Sequence, residues 1–181
     1  MAPCGLPENT ERLALHQALA VLPLAQRSGR PYAISQAHLL LARSYRALQA
    51  LDSSAACLDE AVRWSRWVGA VDMTVDLLCE CSELAALQAE KAEAEVLGAG
   101  RPARERARTL AYEVSRLAAQ VADPEWEIKV LLRISDVLDR CGSPADAAVL
   151  QTRAMRLISG TLNTEAPDPA HLPGLDRLAD V

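Results

Sequence analysis

A chain of 181 residues is long enough for one domain with a real core. Half of it is hydrophobic but only 3% is aromatic, with no Phe at all, so the apolar content is mostly Ala and Leu; that favours helices and argues against a sheet, which needs β-branched and aromatic residues. A formal charge of −5 removes any whole-molecule electrostatic reason to bind nucleic acid or anionic lipid.

The chain reads as seven helices in order. Residues 1–10 read as a flexible N-terminus, without the basic region and apolar run of a secretory signal. A first helix is predicted over 11–28. Its uncharged stretch, Leu13 to Gln26, is too short to span a bilayer and contains His16, Gln17 and Pro23. Gly29-Arg30-Pro31 stops it, and a second helix follows over 32–49. Asp52-Ser53-Ser54 offers an N-cap for a third, over 53–68, which Gly69 ends. A fourth runs over 71–96, lengthened by the Ala/Glu-rich stretch Ala89 to Glu95, and Gly98 to Pro102 is the loop before a fifth over 102–122. Asp123-Pro124-Glu125 and Ser143-Pro144-Ala145-Asp146 open the last two, over 125–141 and 144–160, with Gly142 between them. Pro167, Pro169 and Pro173 mark residues 161–181 as a mobile tail.

Three segments share a register. His38, Leu41, Ala42 and Tyr45, then Ser54, Leu58 and Ala61, are matched 93 residues later by Leu131, Ile134, Ser135 and Leu138, then Ala147, Gln151 and Ala154. Between them, Leu78, Cys81, Ser82 and Ala85 lie 40 residues after the first set, and Ala107, Ala111 and Val114 lie 53 after its second half, so the middle unit carries a 13-residue insertion. Ala14, Ala18 and Val21 repeat the second half once more, ahead of the first unit. Antiparallel helices approach closely only where small side chains meet large ones. Ala42, Ser82 and Ser135 are the small residues of the first helices, and Ala14, Ser54, Ala107 and Ala147 those of the second.

This spacing resembles the tetratricopeptide repeat over roughly residues 11–160, in a longer variant with a period of about 40 rather than about 34. Tyr45 alone keeps a family aromatic, and Gln151 stands where another is usual. The resemblance implies an all-α superhelix of antiparallel pairs: a half repeat at 11–28 and repeats at 32–68, 71–122 (with the insertion) and 125–160. It further implies a concave face lined by first helices. By register that lining is Gln36, Leu39, Arg43 and Arg46, then Asp76, Cys79 and Glu83, then Lys129, Leu132, Asp136, Asp139 and Arg140. The Lys/Asn clamp of chaperone-binding members has no counterpart there.

Catalytic and metal chemistry finds little support. Gly98-x-Gly100-x-x-Ala103 follows a helix rather than the strand a dinucleotide fingerprint needs. Cys79 and Cys81 are two apart on a helix and point apart, so neither these nor the other cysteines suggest a metal site. His16 and His38 fall on apolar stripes, and no nucleophile–base pair is readable. Arg101, Arg104, Arg106 and Arg108 read as a solvated face paired with Glu105, and Trp64, Trp67 and Trp126 as packing anchors. An odd count of five cysteines without disulfide spacing fits a reduced cytoplasm, and the near-exclusive use of Arg, with Lys only at 91 and 129, is a bias common in bacteria with GC-rich genomes. The expectation is therefore a cytoplasmic scaffold or adaptor, not an enzyme, without cofactor, metal, membrane or nucleic-acid partner, that binds a protein or peptide. A self-associating module that homodimerises through the first helix, and an accessory helical domain of a bacterial regulator, are the alternatives.

Overall fold

A computed structural model describes residues 6–165, with side chains for 9–160. These residues form seven helices and no strand: α1 (Leu6–Ser28), α2 (Pro31–Ala47), α3 (Leu51–Val68), α4 (Val71–Glu95), α5 (Arg101–Ala118), α6 (Pro124–Arg140) and α7 (Pro144–Glu165). Each helix packs on the next, and α4 also packs on α6. The fold is all-α, a consecutive, repeat-like stack of helices.

Most helix ends follow from local chemistry. Gly69 adopts φ 76°, the left-handed conformation that costs glycine least, and its N–H reaches the carbonyls of Ser65 and Arg66 to close α3. At α6 the Asp123 carboxylate accepts the Trp126 amide at 3.0 Å and Pro124 takes the first turn, as the sequence predicts. Several ends differ from expectation: α5 stops at Ala118 rather than at 122 and α2 at Ala47 rather than at 49, and three further differences bear on the packing. α1 starts at Leu6, inside the segment expected to be a flexible N-terminus. α7 continues to Glu165, past the expected end at 160; the remainder of the expected tail, with Pro167, Pro169 and Pro173, lies outside the described residues. α3 begins at Leu51, so Ser54 is not a cap. Its hydroxyl instead donates across the helix pair to the Ala42 carbonyl at 2.8 Å.

That bond marks a crossing of α2 with α3. At the matching crossing of α4 with α5 the direction reverses: Ser82 of the first helix donates to the Ala107 carbonyl of the second at 3.0 Å. Among the described residues the third pair has no such bond; Ser135 turns its hydroxyl back to Leu132 within α6. All six small residues, Ala42, Ser54, Ser82, Ala107, Ser135 and Ala147, are buried. What recurs is small volume where two backbones approach, not one particular hydrogen bond. Around these contacts lies an Ala- and Leu-rich core reaching from α2 to α7, with Leu77, Leu84, Leu131, Ile134 and Leu138 fully buried.

Alternate helices are stitched by polar rungs spaced seven residues, two turns, apart. Between α2 and α4 the rungs are Gln36–Met73 and Arg43–Glu80, each 37 residues apart in sequence. Between α4 and α6 they are Glu83–Arg133 and Glu90–Arg140, each 50 apart. These separations are three less than the sequence offsets of 40 and 53. Between α3 and α5 the rungs are Asp59–Arg106 and Arg66–Glu113, each 47 apart, and between α5 and α7 Tyr112–Asp146 spans 34. These are six less than 53 and 40. Two turns on one helix matching two turns on the next means that alternate helices run parallel with a constant shift. The molecule thus has a layer of α2, α4 and α6 and a layer of α3, α5 and α7.

α1 packs on α2 through Ala18 and Ala25, both buried, with Leu22 against Ile34 and Ala37. Ala14, expected at a close crossing, is exposed, because that side of α1 has no first helix against it among the described residues. The outward apolar residues are Leu13, Leu19, Val21 and Leu24.

Candidate interaction face

The layer of α2, α4 and α6 presents a continuous polar face whose centre is one carboxylate. Glu80 sits in the middle of α4 with its side chain 8% exposed. Arg43 holds its Oε1 through both Nη2 at 2.7 Å and Nε at 3.2 Å. Arg46 Nη1 reaches Oε2 at 3.0 Å, and Arg133 Nη2 stands 3.8 Å from Oε1. Glu83, one turn further along α4, takes Arg133 Nε at 2.8 Å and lies 3.7 Å from Arg46. Two carboxylates therefore anchor three guanidinium groups from two flanking helices. The hydrogen bonds from these guanidinium groups replace the water that burial takes from the Glu80 carboxylate.

An open cleft flanks this network on each side. The larger, about 740 Å³, lies along α4 and α6 with Leu87 and Leu132 among its lining and Arg46, Glu83, Lys129, Arg133, Asp136 and Arg140 around them. Leu132 is 46% exposed there. Lys129 makes no ion pair or hydrogen bond among the described residues, whereas Arg140 is held by Glu90 at 2.8 Å. The smaller cleft, about 450 Å³, lies between α2 and α4 and is lined by Gln36, Leu39, Arg43, Asp76 and Glu80 among others, with Arg133 shared between the two. Burial pushes the Asp76 carboxyl up from its ordinary range, against the opposing pull of Arg133.

Ten of the twelve residues placed on this face by sequence register line one of the two clefts. Two do not. Cys79 is 1% exposed and belongs to the core, which corrects its assignment as a lining residue. Asp139 is exposed but lines neither cleft. The correction has a simple geometric cause. The stripe of α4 on this face is Asp76, Glu80, Glu83, Leu87 and Glu90, stepping by four, three, four and three. Stepping from 76 by three first lands on Cys79, about 100° away from Glu80 on the helix. The register carries Leu39 onto Cys79 and Leu132 and so passes over the next positions, Glu80 and Arg133, the centre of the network, although both lie on i, i+3/i+4 stripes of charged residues that the sequence displays.

Other expected features separate from this face. Burial pushes the thiols of Cys79 and Cys81 up to about 12. Their charged surroundings differ, Arg133 and Asp76 for one and Asp59 and Arg106 for the other, as expected for positions two apart on a helix. Among the described residues no group of three or more His, Cys, Asp or Glu is placed to hold a metal ion, and no helix is long and apolar enough to cross a membrane. The arginines at the start of α5 do not form a free basic run: Arg104 pairs with Glu93, Arg106 with Asp59 and Arg108 with Glu105. Trp67 is 72% exposed, with its ring centroid 5.4 Å from that of Trp64, so only Trp64 and Trp126 serve as the packing anchors expected of all three. No protein-family model matches the chain, and no curated protein matches it either.

Proposed function

We propose that this chain is a protein-interaction scaffold that holds a peptide segment of a partner on the face formed by α2, α4 and α6. The observation that carries the reading is the combination, on one face, of an exposed leucine over an open cleft with arginines that are already immobilised. Leu132 offers apolar area for a partner to cover. Arg46, Arg133 and Arg140 are held by Glu80, Glu83 and Glu90, so a partner meets them with much of their rotamer freedom already lost. The resemblance to tetratricopeptide arrays supports the same reading, since first helices line the concave face in that family. The reading assigns no catalytic step, cofactor or metal. It places the chain in a reduced cytoplasm, which suits the free thiols of Cys57, Cys79, Cys81 and Cys141.

The test is affinity capture from a native lysate with the wild-type chain and with Leu132→Asp, quantified by mass spectrometry. A face that binds partners loses one or more of them in the variant while the melting temperature is unchanged. An identical set of captured proteins from both chains sinks the reading.

A second reading, self-association, draws on the outward side of α1. Leu13, Val21 and Leu24 are 59%, 39% and 57% exposed, with Ala14 and Ala20 exposed beside them. Leu15 and Leu22 turn partly inward, Leu22 against Ile34 and Ala37. Light scattering across concentration, on wild type and on Leu24→Glu, decides this: a dimer that Leu24→Glu dissociates supports it, and a concentration-independent monomer removes it.

A further inference from the structure

The two clefts on the interaction face differ in charge, and the difference selects the partner's chemistry. The larger cleft is bordered by Arg46, Lys129, Arg133 and Arg140 against Glu83 and Asp136, a formal balance of +2. It sits on a molecule whose overall balance is −5. The smaller is bordered by Arg43 and Arg133 against Asp72, Asp76 and Glu80, a balance of −1. The larger cleft is also where apolar surface is exposed, at Leu132 with Leu87 beside it. Its arginines have carboxylate partners of their own, but Lys129 has none among the described residues.

We infer that the larger cleft receives an acidic, leucine-bearing segment of a partner protein: an apolar side chain on Leu132 and Leu87, and a neighbouring carboxylate on Lys129. This rests on the interaction-face reading and adds to it the sign of the partner's charge. The physical grounds are complementary. An unpaired, exposed ammonium gains a partner at little desolvation cost, whereas a basic segment meets Lys129, the one cation of this lining without a carboxylate partner among the described residues, beside the exposed Leu132. The arginine–glutamate network resists rearrangement, because drawing Arg46 or Arg133 away leaves Glu80 or Glu83 with fewer partners in a poorly hydrated place. Lys129 is thus the cation available for recognition, and the network is the frame that positions it beside the leucine.

The experiment uses the full chain and two fluorescein-labelled amphipathic peptides, one of Leu, Ala and Glu, the other identical except that every Glu is Lys. Binding is followed by fluorescence anisotropy at low and moderate salt. The Leu/Glu peptide is expected to bind saturably, more weakly as salt rises. Its affinity should fall about tenfold in Lys129→Glu, where the charge at the contact is reversed, and by a similar factor or more in Leu132→Asp. The Leu/Lys peptide should neither bind nor compete. Both positions are exposed, and equal helical content and melting temperature in the variants check that folding is unchanged. The inference is overturned if the Leu/Glu peptide does not bind, if it binds both variants as well as wild type, or if the Leu/Lys peptide binds equally. Should that happen while Leu132→Asp still loses a partner captured from lysate, the acidic-segment inference fails and the interaction face stands. Should Leu132→Asp change no capture either, both fail.

Discussion

The two helix layers are joined by the same device and put it to different use. In the layer of α3, α5 and α7 the rungs are one-to-one pairs between groups that water reaches. Arg66 and Glu113 are 56% and 33% exposed, and Arg106 and Asp59 are 47% and 58% exposed. In the layer of α2, α4 and α6 the rungs converge, and Glu80, almost out of contact with water, serves three arginines. The same device, alternate helices shifted by an amount constant within each layer, therefore yields one layer whose pairs contribute little and another whose central pairs share a poorly hydrated carboxylate. The reason is that a pair's worth depends on what its members give up in hydration and freedom, not on its distance alone.

Six substitutions, in four tests, probe that contrast and the packing beneath it, beginning with what both layers share. Ser82 lies at the interface between the layers, fully buried against α5. Replacing it with Trp overpacks the crossing and should cost about 3 kcal/mol, read from chemical denaturation. Wild-type stability there would mean that the crossing is not close-packed and that the layers are held some other way. Glu80→Gln comes next. It leaves Arg43, Arg46 and Arg133 close together without the charge that gathers them, and should cost about 2 kcal/mol. The counterpart in the other layer, Glu113→Gln, should cost less than about 0.5 kcal/mol and lose even that as salt rises. Equal losses from the two substitutions would erase the distinction between the layers.

The crossings offer a finer comparison. Ser54→Ala removes a buried hydrogen bond to the facing helix and should cost about 1 kcal/mol. Ser135→Ala removes only a bond within α6, and its cost should be smaller by about half or more. Equal thermal shifts from both would show that the interhelical bond adds nothing to small volume. The smallest effect is expected in the loop of the insertion. Glu93 accepts the amides of Gly98 and Gly100 and pairs with Arg104. These contacts hold its carboxyl below the ordinary range, the Gly98 amide most of all. Because the folded value is the lowered one, the tie is present at neutral pH and is lost as pH falls through that lowered value. Glu93→Ala should therefore speed cleavage at Arg101 by an arginine-specific protease at neutral pH without moving the melting temperature. An unchanged cleavage rate would mean that the turn holds itself.

Gly100 in that loop is a further constraint that spacing alone did not reveal. A Cβ there would collide with the Ala89 carbonyl oxygen, so only glycine lets α5 begin this close to α4. The letters Gly98-x-Gly100 are explained by helix packing, with one glycine in the left-handed region and the other at a close approach.

The helical class, the number of helices, most of their ends and the small residues at the crossings could be read from the sequence. Each depends on periodicity, on capping residues and on volume within a few turns of chain, and such interactions are local. Which charges meet could not be read in this way. Whether Glu80 or Cys79 faces the clefts, whether Ala14 is covered, and which arginine reaches which carboxylate all depend on how far one helix is shifted along another and about its own axis. A rotation of one residue position, about 100°, exchanges a buried thiol for the carboxylate at the centre of the face. Only the packed structure sets that rotation, because it results from every side chain in the core filling space at once.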